Sequence, residues 1–146
     1  MNDNTAQLLS ICPHFVVKEY TASVEYYRDK LGFEAIMVAP KEDPFFAVVR
    51  RGAAAIALKE IARDVPPIPN SSRHEYARLD AFVHTLKPDV LYAEYRAKGV
   101  TINRPIADTE EGLRAFEIRD INGYVLCFGC SLGEDESTCD PASPVQ

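Results

Sequence analysis

Across residues 11–33, ICPHFVVKEYTASVEYYRDKLGF, the spacing of hydrophobic positions changes from two to three and four and then stops at a glycine. The alternation predicts a strand over 11–18, with Ile11, Pro13, Phe15 and Val17 on one face and Cys12, His14 and Val16 on the other. Val24, Tyr27 and Leu31 then recur at helical spacing, with Thr21 or Ser23 as the N-cap and Gly32 as a left-handed exit. A looser copy occupies 79–100, LDAFVHTLKPDVLYAEYRAKGV, where Val90, Leu91 and Tyr95 lead to Gly99 and Pro88 suits a first helical turn. Neither copy buries its apolar face alone. The pattern therefore predicts one sheet-and-helix unit used twice, its two sheets curved around a shared space.

Between and after the copies the same periodicities place the remaining strands. Residues 34–38 read as a strand, 41–44 as a turn, and 45–51 with 54–59 as a hairpin around Gly52. Pro66, Pro67 and Pro69, followed by Asn70, Ser71 and Ser72, interrupt any helix or inner strand and mark a linker. In the second copy, 79–85 reads as a strand with Ala81 and Val83 opposed to Asp80, Phe82 and His84, and 88–98 as a helix. A short strand near 100–103, a polar loop over 104–112 and a strand over 113–119 follow. Asp120, Ile121, Asn122 and Gly123 form a tight turn into a last strand over 124–128. The expected organisation is a single domain over 9–130, with module one at 9–60, a linker at 61–78 and module two at 79–130. The acidic residues 131–146, rich in Ser and Pro, are expected to form a disordered tail.

Composition narrows the function classes. A chain of 146 residues with 47% hydrophobic and 26% charged residues has the makings of one folded domain. Its net charge of -6 and the isolation of its one Arg50–Arg51 pair argue against nucleic acid. No run is long enough to cross a bilayer, and residues 1–10 lack the basic start and apolar centre of a signal peptide, so the cytoplasm is the expected location and no membrane partner is expected. Cys12, Cys127, Cys130 and Cys139 are too few and too clustered for a disulfide framework. Cys127 and Cys130 make a CxxC spacing, but at a strand end instead of a helix start, where nothing lowers a thiol pKa; free thiols are expected.

Candidate chemistry follows from strand faces. Residues opposite the helix-facing rows should line the cavity, which gathers Cys12, His14, Asp80, Phe82, His84, Glu117, Arg119, Val125 and Cys127. Of these, His14, Asp80, Phe82, His84, Glu117 and Arg119 are the expected ligand-binding residues, with Phe82 to stack on a guest and Asp80 and Glu117 as counter-charge. Each histidine has a plainer reading as a hydrogen-bonded rim residue, and Glu117 beside Arg119 reads equally as a rim ion pair. Metal-free acid-base catalysis by Glu117 or His14 ranks below binding.

The segments ASVEYYRDKLGF, FFAVVRRGAAAIAL, YRAKGV and GLRAFEIRDINGYVLCFG resemble the vicinal oxygen chelate superfamily, which holds glyoxalase I, extradiol dioxygenases, fosfomycin-resistance transferases and bleomycin-resistance proteins. The resemblance spans 11–129 and implies an α+β fold of two βαβββ modules forming a cupped mixed β-sheet around a cavity, commonly completed by a second subunit. In metal-dependent members a His or Gln on the first strand, a His on the fifth and a Glu on the last hold a divalent ion; here those places fall on Cys12, Asp80 and Cys127. A slip that keeps the strand faces would substitute His14 or His84, and two thiols would suit zinc. What the resemblance implies, with the usual ligands missing, is a metal-free homodimer of the bleomycin-resistance kind that binds a small organic molecule, with a possible part in antibiotic resistance. The alternative is a metal-dependent lyase, isomerase, transferase or dioxygenase with the atypical ligands Cys12, Asp80 and Cys127. No cofactor is expected under the first reading and a divalent metal such as zinc under the second.

Overall fold

The computed structural model describes residues 4–135 and 137. The first module comprises β1 (His14–Val16), α1 (Tyr20–Asp29), β2 (Glu34–Ala39), β3 (Phe46–Arg51) and β4 (Ala54–Lys59). The second comprises β5 (Ala81–His84), α2 (Pro88–Ala97), β6 (Thr101–Asp108), β7 (Leu113–Arg119) and β8 (Val125–Ser131). Each module folds into a four-stranded mixed sheet, in the orders β1-β4-β3-β2 and β5-β8-β7-β6. β1 runs parallel to β4 and β5 parallel to β8, and the other pairs are antiparallel. This is the expected α+β arrangement of two βαβββ units. Among the described residues no helix is long and apolar enough to cross a membrane.

The helix-facing rows of both modules form one core. Phe15, Val17, Tyr27, Leu31 and Leu58 of the first pack with Tyr95, Phe116, Ile118, Leu126 and Phe128 of the second. Phe15 stacks on Tyr124 at 4.3 Å between ring centroids, and Phe116 stacks on Phe128 at 5.4 Å. Each such fully buried side chain contributes about 2 kcal/mol over its exposed state, so the shared layer is the main source of stability. Polar ties cross the same junction. The Tyr27 hydroxyl donates to Asp120 Oδ2 at 2.5 Å, the Tyr124 hydroxyl to the Val16 carbonyl at 2.5 Å, and the Tyr95 hydroxyl to the Leu31 carbonyl at 2.9 Å. Arg51 donates to both oxygens of Glu94, at 2.6 and 3.0 Å, and also to Leu31 O. Gly32 leaves α1 at φ 77°, a backbone conformation that favours glycine, and a Cβ there would sit 2.7 Å from Arg51 Nη1 and displace the end of that side chain.

Several boundaries differ from expectation. The N-cap of α1 is Glu19, with no side-chain hydrogen bond, in place of Thr21 or Ser23. Burial of Tyr20 draws the chain into helix one residue before Thr21, and Ser23 is itself buried, its Oγ accepting from Asn122 Nδ2 at 3.1 Å. Val90 is exposed although it fits the apolar spacing; Tyr95 carries the buried stripe of α2, with Leu91 and Tyr92 packed against it. β1 is three residues long, and Ile11 lies outside it, exposed. β6 continues to Asp108, through most of the expected loop, because register shifts between Ile102 and Arg104 and between Arg104 and Ala107 erase the two-residue period. β8 extends to Ser131, pairing with Leu113. Of the expected tail, residues 132–135 and 137 are described beyond that strand, and Glu134 Oε1 accepts from the Ser131 N–H at 3.0 Å; the rest lies outside the described residues. The linker carries a single 3-10 turn, Asn70–Ser72.

Candidate functional site

Pairing across the C-terminal sheet sets Arg104, Glu117, Cys127 and Phe82 in one row, one residue from each strand. Because Phe116, Ile118, Leu126 and Phe128 point into the core, this row takes the opposite, cupped face. The neighbouring row holds Ala107, Ala115, Gly129 and His84, whose first three side chains are small enough to leave a hollow. The result is a cavity of about 520 Å³ bounded by Arg78, Phe82, Arg104, Leu113, Glu117 and Cys127, with Asp108, Glu110 and Glu111 at its exposed lip.

Glu117 is 3% exposed and fully engaged. Its Oε2 accepts from Arg78 Nη2 at 2.8 Å and its Oε1 from Asn103 Nδ2 at 2.9 Å, while Arg104 Nε stands 3.9 Å away. Asn103 Oδ1 in turn accepts from Arg119 Nη2 at 2.9 Å, so a polar chain runs Arg78, Glu117, Asn103, Arg119 across the floor. Burial pushes the Cys127 thiol up to about 11, and the Glu117 charge adds to the shift. At neutral pH Cys127 therefore presents a protonated, largely apolar surface. At the lip, Arg114 holds Asp108 at 3.2 Å and Asp89 of α2 at 2.7 Å.

The structure brings Phe82, Glu117 and Cys127 together, with Arg119 one row away and joined through Asn103. Asp80 and His84 also line a second hollow with Phe82, beside residues 53–56, while His14 lies apart. Asp80 accepts from the backbone, its Oδ1 from Asn70 N–H and its Oδ2 from Val125 N–H, each at 2.8 Å, and so fastens the linker to the start of β8. His84 pairs with Glu134 at 3.0 Å. His14 belongs to the N-terminal sheet, in a row with Ala57, Val48 and Met37, its ring 5.9 Å from Phe46. Sequence reasoning missed Arg78, Asn103 and Arg104. The latter two fall among the shifts in β6, where alternation carries no information about face, and Arg78 falls in the linker, where no periodicity exists to read.

The donor set expected for a metal does not fit one. Cys12 precedes β1 in the N-terminal sheet, away from Cys127 on β8, and both Asp80 oxygens are taken by backbone N–H groups. Among the described residues no three His, Cys, Asp or Glu side chains are placed to share an ion.

Comparison with known proteins agrees with this architecture. No curated protein sequence matches the chain. Among solved structures, a glyoxalase-related enzyme from Clostridium phytofermentans aligns with a TM-score of 0.67 at 18% identity, covering 89% of this chain and 100% of that one. TioX from Micromonospora sp. ML1 aligns with a TM-score of 0.66 at 17% identity, over 84% of this chain and 98% of that one. The bleomycin-binding protein from bleomycin-producing Streptomyces verticillus, solved with copper(II)-bleomycin, aligns with a TM-score of 0.62 at 24% identity, over 89% and 100% of the respective chains. At these identities the likeness is one of fold. A family model matches residues 8–128, and the chain thus belongs to the glyoxalase/bleomycin resistance protein/dioxygenase superfamily.

Proposed function

We propose that this protein binds a small organic molecule with an aromatic ring in the cup of its C-terminal sheet, without a metal, and sequesters it. The observation that carries this reading is the row Arg104, Glu117, Cys127, Phe82 facing a cavity of about 520 Å³, within the size of sites that hold drug-sized molecules. Phe82 supplies a stacking face, Leu113, Ala115 and the neutral Cys127 supply apolar wall, and the arginines supply orientation. The bleomycin-binding neighbour, solved with its copper(II)-bleomycin guest, lends support as a protein of like fold. A thermal-shift screen of aromatic acids, aromatic amines, neutral aromatics and antibiotics should raise the melting temperature for at least one class. Phe82→Ala should weaken that ligand by about tenfold, the worth of one lost stacking face. A screen without any stabilising compound, or stoichiometric metal in protein purified without chelator that disappears in Cys127→Ala, would overturn the reading.

The proposal includes a homodimer. β2 is an edge strand, and Ile36, Met37 and Val38 along it are exposed, an open apolar edge of the kind proteins cover. A second copy supplies the cover. Sedimentation equilibrium should give a dimer for the native chain and a monomer for Met37→Asp, whereas a native monomer at micromolar concentration would refute this part.

A further inference from the structure

We propose that the C-terminal cup selects a planar aromatic monoanion, with its one acid group held between Arg104 and Arg78 and its ring against Phe82. This rests on the reading of the cup as the ligand site and adds the chemical class of the ligand. A charge inventory of the cavity leads there. Glu117 is the buried acid of the wall, and each of its oxygens already accepts a hydrogen bond, from Arg78 and from Asn103. Asp80 is equally spent, on two backbone N–H groups. A cationic guest would therefore have to share the floor carboxylates with donors already seated on them.

Donors, by contrast, are in surplus. The Arg104 guanidinium is 58% exposed and lies 3.9 Å from Glu117, beyond hydrogen-bond reach. Arg78 gives Nη2 to Glu117, while its buried Nε has no acceptor among the described residues. The two guanidinium groups face the buried Glu117, with the Glu111 charge of the lip near both, yet they hold N–H groups that neither acid takes up, and a guanidinium matches a planar acid group with two parallel hydrogen bonds. An acid seated on Arg104, with a small turn of Arg78 toward it, satisfies both.

Size and sign at the mouth complete the assignment. Arg104 on β6 and Phe82 on β5 are separated by three strand spacings, about 14 Å between backbones, so that after the reach of both side chains a two-ring acid bridges them. At the lip Asp108 is held by Arg114, but Glu110 and Glu111 stand exposed and repel a second negative charge. The site is thus basic at the wall and acidic at the mouth, which favours one anionic group with an uncharged far end.

Titration calorimetry of the full chain at low salt with four probes tests this: 2-naphthoate, 2-naphthylmethylammonium, 2-naphthalenemethanol and 2,6-naphthalenedicarboxylate. The monoacid should bind at least about tenfold tighter than the amine and the alcohol, and about threefold or more tighter than the diacid. Arg104→Gln, at an exposed edge-strand position, should bring the ratio of acid to alcohol affinity down to about one, with thermal unfolding confirming an intact fold. Binding of the amine or alcohol as tight as that of the acid, or an acid preference that survives Arg104→Gln, would overturn the ligand class while leaving the cup as a site. Failure of all four probes to bind would overturn both.

Discussion

Asp120→Ala should lose on the order of 4 kcal/mol of folding stability, because it strips acceptors from three donors at once in a place water does not reach. Asp120 is 5% exposed; its Oδ2 accepts from the Tyr27 hydroxyl at 2.5 Å and its Oδ1 from the backbone N–H groups of Asn122 and Tyr124 at 2.8 and 2.9 Å. It therefore closes the turn between β7 and β8 and also fastens α1 to it. Asp120→Asn keeps an oxygen for the two N–H groups and offers Nδ2 to the tyrosine oxygen, so near pH 4 it should cost about 1–2 kcal/mol. The pair separates the loss of an acceptor from the loss of a charge.

The same residue sets a pH dependence. Burial raises the Asp120 carboxyl from 3.8 to about 6, against the lowering effect of its hydrogen bonds, so the folded chain holds this proton more tightly than the unfolded chain. Its contribution to stability is then fully present below about pH 4 and is lost as the pH rises through about 6, by up to about 3 kcal/mol. Urea unfolding at intervals from pH 4 to 7 should show the stability difference between native protein and Asp120→Asn shrinking over that window. A constant difference would show that Asp120 is ionised throughout. Carboxylates such as Glu94 and Asp89, which arginine partners hold below their usual range, act in the opposite direction and cancel in the comparison.

Gly129→Ala is the second large effect. A Cβ at this position would lie 2.6 Å from the Arg114 carbonyl oxygen, 2.7 Å from the Ala115 Cβ and 3.0 Å from the Ala115 Cα, so the methyl group can enter only if β7 and β8 part. A cost of about 3 kcal/mol is expected, at the upper end for overpacking because two of the three obstacles are backbone. Adding Ala115→Gly removes the Cβ contact alone and should restore about 1 kcal/mol. Guanidinium unfolding of the single and double variants measures both numbers, and a stable Gly129→Ala would show that the two strands have slack.

How far the sequence could be read depended on whether a residue's role came from period or from partner. Alternation in β7 put Phe116 and Ile118 in the core and Glu117 in the cup, as found, because an unbroken antiparallel pair preserves a two-residue period. The helices and Gly32 followed from apolar spacing and from the need for a left-handed exit. β6 did not follow, since its register shifts turn successive side chains off the regular faces and hide Asn103 and Arg104. Asp80 has the right strand and residue type for a binding carboxylate, yet serves the backbone of Asn70 and Val125, and that choice depends on where the linker lands. Arg78 likewise enters the cup through the path of the linker, which local sequence does not encode.

The single core joining both modules has a consequence for synthesis. When module one leaves the ribosome, Phe15, Tyr27 and Leu31 lack part of their eventual packing, since Tyr124, Asp120 and Phe128 come from the far end of the chain. Neither half can settle as it is made. The nascent polypeptide must carry its unsatisfied aromatic surface until the last strand is released, which makes closure of the protein a late, long-range event.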